Sequence, residues 1–211
     1  MQWIIIGILS SYLIGSIPTA YIFVRLLKGA DIRNFGSGNV GATNALRILG
    51  KGPGITILVI DMLKGLVVVV FLANILAAKI TNIPEISLRV MFGLSCIFGH
   101  IWTVFLKFKG GKGVATTLGV LLGLSITVAG IQLFLCIILT WLLVFLLTKI
   151  VSISSIITGI SLPLYMALFK QPGVLIYSSI FLCALIIIRH KSNLKRLLQG
   201  KEPRLSFKKS A

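Results

Sequence analysis

The sequence predicts an all-α integral membrane protein, a polytopic bundle of seven transmembrane helices with the N-terminus outside and the C-terminus cytoplasmic. Three observations carry that prediction. Hydrophobic residues make up 57% of the 211-residue chain and the mean hydropathy is +1.05, whereas soluble domains are about 45–50% apolar. These residues fall in long runs, and about 20 apolar residues suffice to cross roughly 30 Å of hydrocarbon. The basic residues, finally, collect on alternate loops, as expected for cytoplasmic segments.

The runs place spans at 3–24, 55–78, 88–106, 114–128, 130–148, 151–169 and 173–188. The first begins Met1-Gln2-Trp3-Ile4, lacks the basic n-region of a cleaved signal peptide, and is expected to be retained. A long loop (28–54) follows it, and a basic tail (189–211) ends the chain. The reading is a single domain, 1–211, with no soluble domain and no internal repeat. The stretch 114–148 is 35 residues without a charge, too long for one comfortable span. Placing two spans there leaves 17 of the 21 Lys and Arg on the inside, with Lys79, Arg89 and Lys170 outside and Lys64 within a span. A single span would send Lys149 and the tail outside. A break between Ser125 and Gly130 follows.

The formal net charge is +17, from 21 basic and 4 acidic residues. Such a balance suits nucleic acid, anionic membrane or anionic substrates. Nucleic acid is the poorer fit, because the aromatics sit inside the apolar runs rather than between the basic residues. Cys96, Cys136 and Cys183 lie one to a run with no ligand spacing, and read as small buried hydrophobes.

Within the second run Asp61 and Lys64 lie three apart on one helix face, where a pair is expected to satisfy itself. His100 and Ser152 stand near the cytoplasmic ends of the third and sixth spans. His100 reads as mainly structural; Ser152 is kept as a site candidate.

Three segments carry the chemistry. The first is Gly36-Ser37-Gly38-Asn39-Val40-Gly41-Ala42-Thr43-Asn44, followed by Arg47 and Lys51. Its glycines let the backbone approach a ligand and turn N–H groups toward an anion. Ser37, Asn39, Thr43 and Asn44 add side-chain donors, and a helix starting after the turn would aim its N-terminus at the same place. The pattern is neither a Walker loop nor a dinucleotide fingerprint. The second is Phe108-Lys109-Gly110-Gly111-Lys112-Gly113-Val114-Ala115-Thr116, a turn opening into a span, with Lys112 as a fixed charge for phosphate. The third runs from Arg189 to Leu197. Spacing puts Arg189, Asn193 and Arg196 on one helical face, and lets His190 and Asn193 both point inward. Lys208 and Lys209 read as contacts to anionic lipid.

Absences narrow the chemistry. Four scattered acidic residues supply neither a two-metal cluster nor a carboxylate pair. The His-x4-Asp arrangement of the large glycerolipid acyltransferase family is missing, since Val104 follows His100 and Leu194 follows His190 at that spacing. No Gly-x-Ser-x-Gly elbow is present, which argues against a serine nucleophile.

On GSGNVGATN (36–44), FKGGKGVAT (108–116), RHKSNLKRL (189–197) and the Asp61–Gly65 stretch between them, the chain closely resembles the bacterial acyl-phosphate:glycerol-3-phosphate acyltransferases, the PlsY family, over essentially its whole length. It departs in having Thr103 after Trp102, where relatives often have proline, and Leu194 for a common isoleucine. The resemblance implies a seven-helix inner-membrane enzyme with its motifs facing the cytoplasm. It also implies acyl transfer from acyl phosphate to the 1-hydroxyl of sn-glycerol 3-phosphate, giving lysophosphatidic acid and phosphate, the first step toward phosphatidic acid. It assigns Ser37, Arg47, Lys112 and Ser152 to phosphate binding; the glycines at 36, 38, 41, 110, 111 and 113, with Asn39, Thr43, Asn44 and Arg189, are read from the loops themselves as lying around the substrates. His190 and Asn193 hold the glycerol phosphate backbone. A substrate phosphate oxygen takes the proton, with His190 the alternative. No metal, acyl-CoA, acyl carrier protein or other cofactor is expected to take part; the expected partners are the two substrates, membrane lipid and a soluble enzyme that makes acyl phosphate. A transporter or channel for organic phosphates is the competing class, and it predicts polar residues along the whole bilayer path. The donors here crowd one face.

Overall fold

The structure, a computed structural model, describes residues 1–205; Lys208 and Lys209 lie outside the described residues. It resolves into two compact units, Met1–Gly130 and Ile131–Ala211.

In the first unit, helix α1 (Gln2–Ser16) stops at Ile17, and α2 (Thr19–Lys28) starts after Pro18. The helix of the expected first span is thus interrupted at Ile17 and Pro18, because proline cannot donate into a continuing helix, while Gln2–Lys28 remains one membrane-length segment. Helix α3 (Ala42–Leu49) lies within the expected loop 28–54, and α4 (Lys51–Val67) takes Pro53 into its first turn, where its missing N–H costs nothing. A π-turn, Val68–Leu72, joins α4 to α5 (Ala73–Ala77), and α6 spans Glu85–Ile101. Arg89, counted above among the outside charges, is buried. It donates to the Val69 carbonyl within the π-turn, to Asn74 and to Glu85, so a carbonyl in a distorted ladder finds a partner. Helix α7 (Val114–Leu124) runs into a second π-turn, Ser125–Ala129, and Gly130 at φ 87° ends the unit. The chain therefore breaks where charge parity placed the break.

Small residues bring these helices together. A Cβ on Gly15 or Gly99 would collide with the facing backbone at Cys96 or Tyr12, and one on Gly65 or Gly119 with that at Thr116 or Met62. Helix α1 thus packs on α6, and α4 on α7, at backbone distance. One core cluster (Ala20, Val24, Ile32, Val40, Ala45, Ile57 and Leu106) ties the first loop and α3 to α2, α4 and the turn after α6.

The second unit stacks α8 (Ile131–Thr148), α9 (Val151–Leu168) and α10 (Gly173–Arg189) in sequence order. Lys149, in the tight α8–α9 turn, has φ 59°. Helix α11 (Lys191–Leu198) follows α10 at a 57° bend.

Among the described residues, five segments are long and apolar enough to cross a membrane: Gln2–Lys28, Lys51–Ala77, Glu85–Leu106, Ile131–Thr148 and Val151–Leu168. The bent α10–α11 pair makes a sixth, and Val114–Ala129 is shorter.

Candidate active site

The first loop is built around one buried side chain. Asn44, in the first turn of α3 and 1% exposed, accepts the Ser37 N–H through Oδ1 at 3.0 Å. Its amide donates to the carbonyls of Phe35 (3.0 Å) and Ile32 (3.4 Å). Asn44 thereby folds the glycine turn onto the helix start and presents the Ser37 side chain at the surface. Gly36 and Gly38 have φ of 57° and 68°, and a Cβ on Gly36 would strike Asn44 Oδ1; glycine is required on both counts. Arg47, in the last turn of α3, is exposed.

The second loop hangs on the end of α6. The Gly111 N–H donates to the His100 carbonyl at 3.0 Å, and the Gly110 N–H to that of Ile101 at 3.1 Å. Gly113, at φ 81°, caps α7, and Lys112 stands half-buried between these anchors. A Cβ on Gly111 would run into the His100 ring and come within 2.8 Å of the Val40 carbonyl, so the two glycine-rich loops touch here. Upstream, Lys107 and Phe108 have φ of 54° and 61°, strained for residues bearing a side chain. Thr103, 2% exposed, settles the shape of this turn. Its hydroxyl donates to the Ser16 carbonyl at 2.6 Å and accepts the Phe105 N–H at 3.3 Å. It thus binds the turn to a carbonyl left open at the α1 break.

The third segment belongs to the second unit and departs from expectation. Arg189, Asn193 and Arg196 do not share one face, because α10 ends at Arg189 and the chain bends at His190. His190 closes the helix twice over. Its N–H bonds to the Ile186 and Ile187 carbonyls, and its ring Nδ1 lies 2.8 Å from the Ile186 oxygen. A carbonyl only accepts, so Nδ1 carries the proton and Nε2 holds the lone pair in the neutral ring. His190 and Asn193 are 2% and 5% exposed, buried together as their spacing suggested.

Asn193 leads to a residue that the sequence reading missed. Glu202 Oε1 accepts the Asn193 amide (2.5 Å) and the Ser152 hydroxyl (2.8 Å), and Oε2 accepts Arg196 Nε (2.6 Å). The Leu205 N–H also bonds to the Lys149 carbonyl at 2.8 Å, pinning the tail against the α8–α9 turn. Burial alone pushes the Glu202 carboxyl up. The hydrogen bonds from Arg196, Asn193 and Ser152, with the Arg196 charge, outweigh it and hold the group below its ordinary value. A lone acid in an otherwise basic tail was the available signal.

Ser37, Asn44, Arg47, Gly110, Gly111 and Lys112 are thus arranged within Met1–Gly130, and Ser152, Arg189, His190 and Asn193 within the second unit.

The glycerol-3-phosphate acyltransferase family matches residues 5–200. Relatives described as glycerol-3-phosphate acyltransferases include one from Chlorobium phaeobacteroides (strain BS1), 39% identical over 98% of each chain. Another, from Rippkaea orientalis (strain PCC 8801 / RF-1), is 42% identical over 99% of this chain and 96% of its own. Crystal structures of PlsY, an integral membrane glycerol 3-phosphate acyltransferase, superimpose on this fold. Its glycerol 3-phosphate form gives a TM-score of 0.84 at 38% identity, covering 96% of each chain. The lysophosphatidic acid form gives 0.81 at 37%, covering 97% of this chain and 96% of its own.

Proposed function

The chain belongs to the glycerol-3-phosphate acyltransferase family, and from that premise we propose that it transfers a fatty acyl group from acyl phosphate to the 1-hydroxyl of sn-glycerol 3-phosphate. The observation that carries the reading is the Gly110–Gly113 turn, fixed to the α6 end and touching the first loop at Val40, with Lys112 between its anchors. The glycines let this turn pack tightly against the end of α6 and the first loop, which fixes the place where Lys112 supplies the positive charge.

Charge is the central difficulty of the reaction. Two unit charges 6 Å apart at an effective dielectric of ~20 repel by about 3 kcal/mol, and two phosphorylated reactants bring several such pairs together. Lys112 and Arg47 offset that repulsion and hold the hydroxyl against the acyl carbonyl. The glycerol oxygen attacks the carbonyl carbon, the bond from that carbon to the phosphate oxygen breaks, and inorganic phosphate leaves. The hydroxyl proton passes to a phosphate oxygen. An acyl phosphate is already activated, so no acyl-enzyme is needed, in keeping with the lack of a serine elbow. His190 Nε2, unprotonated in the neutral ring, and Asn193 orient the glycerol, while Ser37, Ser152 and Arg189 complete phosphate binding. Asn44, whose amide bonds to its own loop, acts by shaping that loop.

The proposed setting is the bacterial inner membrane, crossed seven times, with the motifs on the cytoplasmic side where a soluble enzyme delivers acyl phosphate. The clustering of basic residues on alternate loops supports it. The test is purified protein with palmitoyl phosphate and labelled glycerol 3-phosphate, without acyl-CoA. Equal amounts of lysophosphatidic acid and phosphate are expected. No product would overturn the reading, and product from palmitoyl-CoA alone would change the donor.

A further inference from the structure

Beneath the second loop lies a buried charged cluster that the proposed chemistry does not use. Asp61 and Lys64 of α4 are 1% and 6% exposed, and His100 of α6 is 9% exposed. Lys64 Nζ bonds to Asp61 Oδ1 and to the Ile17 carbonyl, each at 2.5 Å. Ile17 is where α1 stops before Pro18, and its carbonyl takes the Thr19 N–H at 3.0 Å in place of a helical donor. His100 Nδ1 stands 3.9 Å from the same Asp61 oxygen. On its other side, a Cβ on Gly111 would meet His100 Nε2. The His100 carbonyl accepts the Gly111 N–H, and Gly111 is also the residue that touches Val40 of the first loop. Asp61, His100, Val40, Gly110 and Gly111 line one small cavity.

These contacts form a chain from the break in the first helix to the loop bearing Lys112. Lys64 fixes Asp61 against Ile17, Asp61 faces one edge of the imidazole, and the other edge supports Gly111. We propose that Asp61, Lys64 and His100 are positioning residues which set the spacing between Val40 and Gly111, and hence the fit of the two loops around a phosphate group. This rests on the reading that the Lys112 loop binds the phosphate of glycerol 3-phosphate. The burial of two charges and a histidine here is otherwise hard to account for, since a packed apolar group would fill the same volume without desolvating them.

The discriminating experiment replaces His100 by side chains that keep one edge or the other. Asparagine puts its amide where Nδ1 faces Asp61, whereas glutamine reaches toward the Gly111 edge and loses the Asp61 side; His100→Ala loses both. KM for glycerol 3-phosphate and kcat are measured at saturating palmitoyl phosphate on folded protein, with amide exchange at Gly110 and Gly111. H100A, H100N and H100Q each break one link or both, and each is expected to raise KM at least fivefold with kcat within threefold and to speed exchange at both glycines. A role in stability alone would lower the melting temperature and move neither KM nor exchange. Should H100A fail to fold, the H100N and H100Q pair decides, and parental KM and exchange in either of them overturns the proposal. If the parent protein makes no lysophosphatidic acid, the functional reading fails, while the exchange rates still judge the loop positioning.

Discussion

Glu202 and Asn193 meet at 2.5 Å, the side-chain amide donating to Oε1. Since Ser152 and Arg196 bond to the same carboxylate, one tail residue organises side chains from α9 and α11, including two that the sequence assigned to substrate binding. The donors come from all sides, so only a group that accepts with both oxygens fits. Glu202→Gln turns an NH2 toward those donors. Hydrogen bonds to a charged group contribute about 1.5–3 kcal/mol, so the variant should melt several degrees lower. Its kcat/KM should fall through misplaced Asn193 and Ser152. Calorimetry and initial rates in the same detergent check it; an unchanged melting temperature would remove Glu202 from the framework.

The same carboxylate sets a pH dependence. Its folded-state pKa lies below the ordinary glutamate value of 4.5, so its stabilisation is complete above that value. It is lost as pH falls through the lower folded value. The melting-temperature gap between the parent and Glu202→Gln is therefore expected to be constant above about pH 5.5, one unit above that ordinary value, and to close in acid. A gap that widens on acidification contradicts the assignment.

Lys112 is the second loop's fixed charge. Lys112→Ala is expected to reduce kcat/KM by about 10²–10³, the range found on removing one donor from a preorganised anion site. The fold should persist, since Gly110, Gly111 and Gly113 carry the loop's backbone anchors. Near-parental rates in folded protein would place Lys112 outside the site.

Gly111 offers a steric test. A side-chain carbon there would lie 2.8 Å from the Val40 carbonyl as well as against His100, and crowding of this kind typically costs about 1–3 kcal/mol. Gly111→Ala should raise KM for glycerol 3-phosphate much more than it lowers kcat. A variant with parental KM would show that the two loops need not touch.

His190 has one nitrogen engaged with Ile186, so its substitutions separate orientation from proton transfer. Gln reaches the Nε2 position and presents a hydrogen-bonding amide there but cannot take a proton. If His190→Gln keeps most of kcat, the ring orients the glycerol backbone and a substrate phosphate oxygen accepts the proton; a loss of 10² or more would return the base role to His190.

How much was legible beforehand varied with the range of the interaction. Apolar runs and charge asymmetry located the long apolar helices and the break at Gly130, though not α3 within the expected first loop, because partition into lipid acts on each segment separately. Glycines flanking Lys112 marked the second loop, because backbone conformation is a local property. The third segment was read as one helical face, and the bend at His190 overrode that: a ring-to-carbonyl bond is invisible to periodicity. Thr103, noted only as a departure from relatives, proved to tie the turn to Ser16.

The amino-acid order by itself determined a membrane-embedded helical protein with basic, glycine-rich loops, since hydropathy, charge and glycine content are summed along the chain. Only the folded arrangement decided that Asn44 shapes the first loop, that His100 separates Asp61 from Gly111, and that Glu202 returns to Ser152 and Asn193. Each of those contacts joins residues distant in sequence, or depends on which way a buried polar atom must turn to find a partner, and a buried polar atom left unpaired costs more than any local preference supplies.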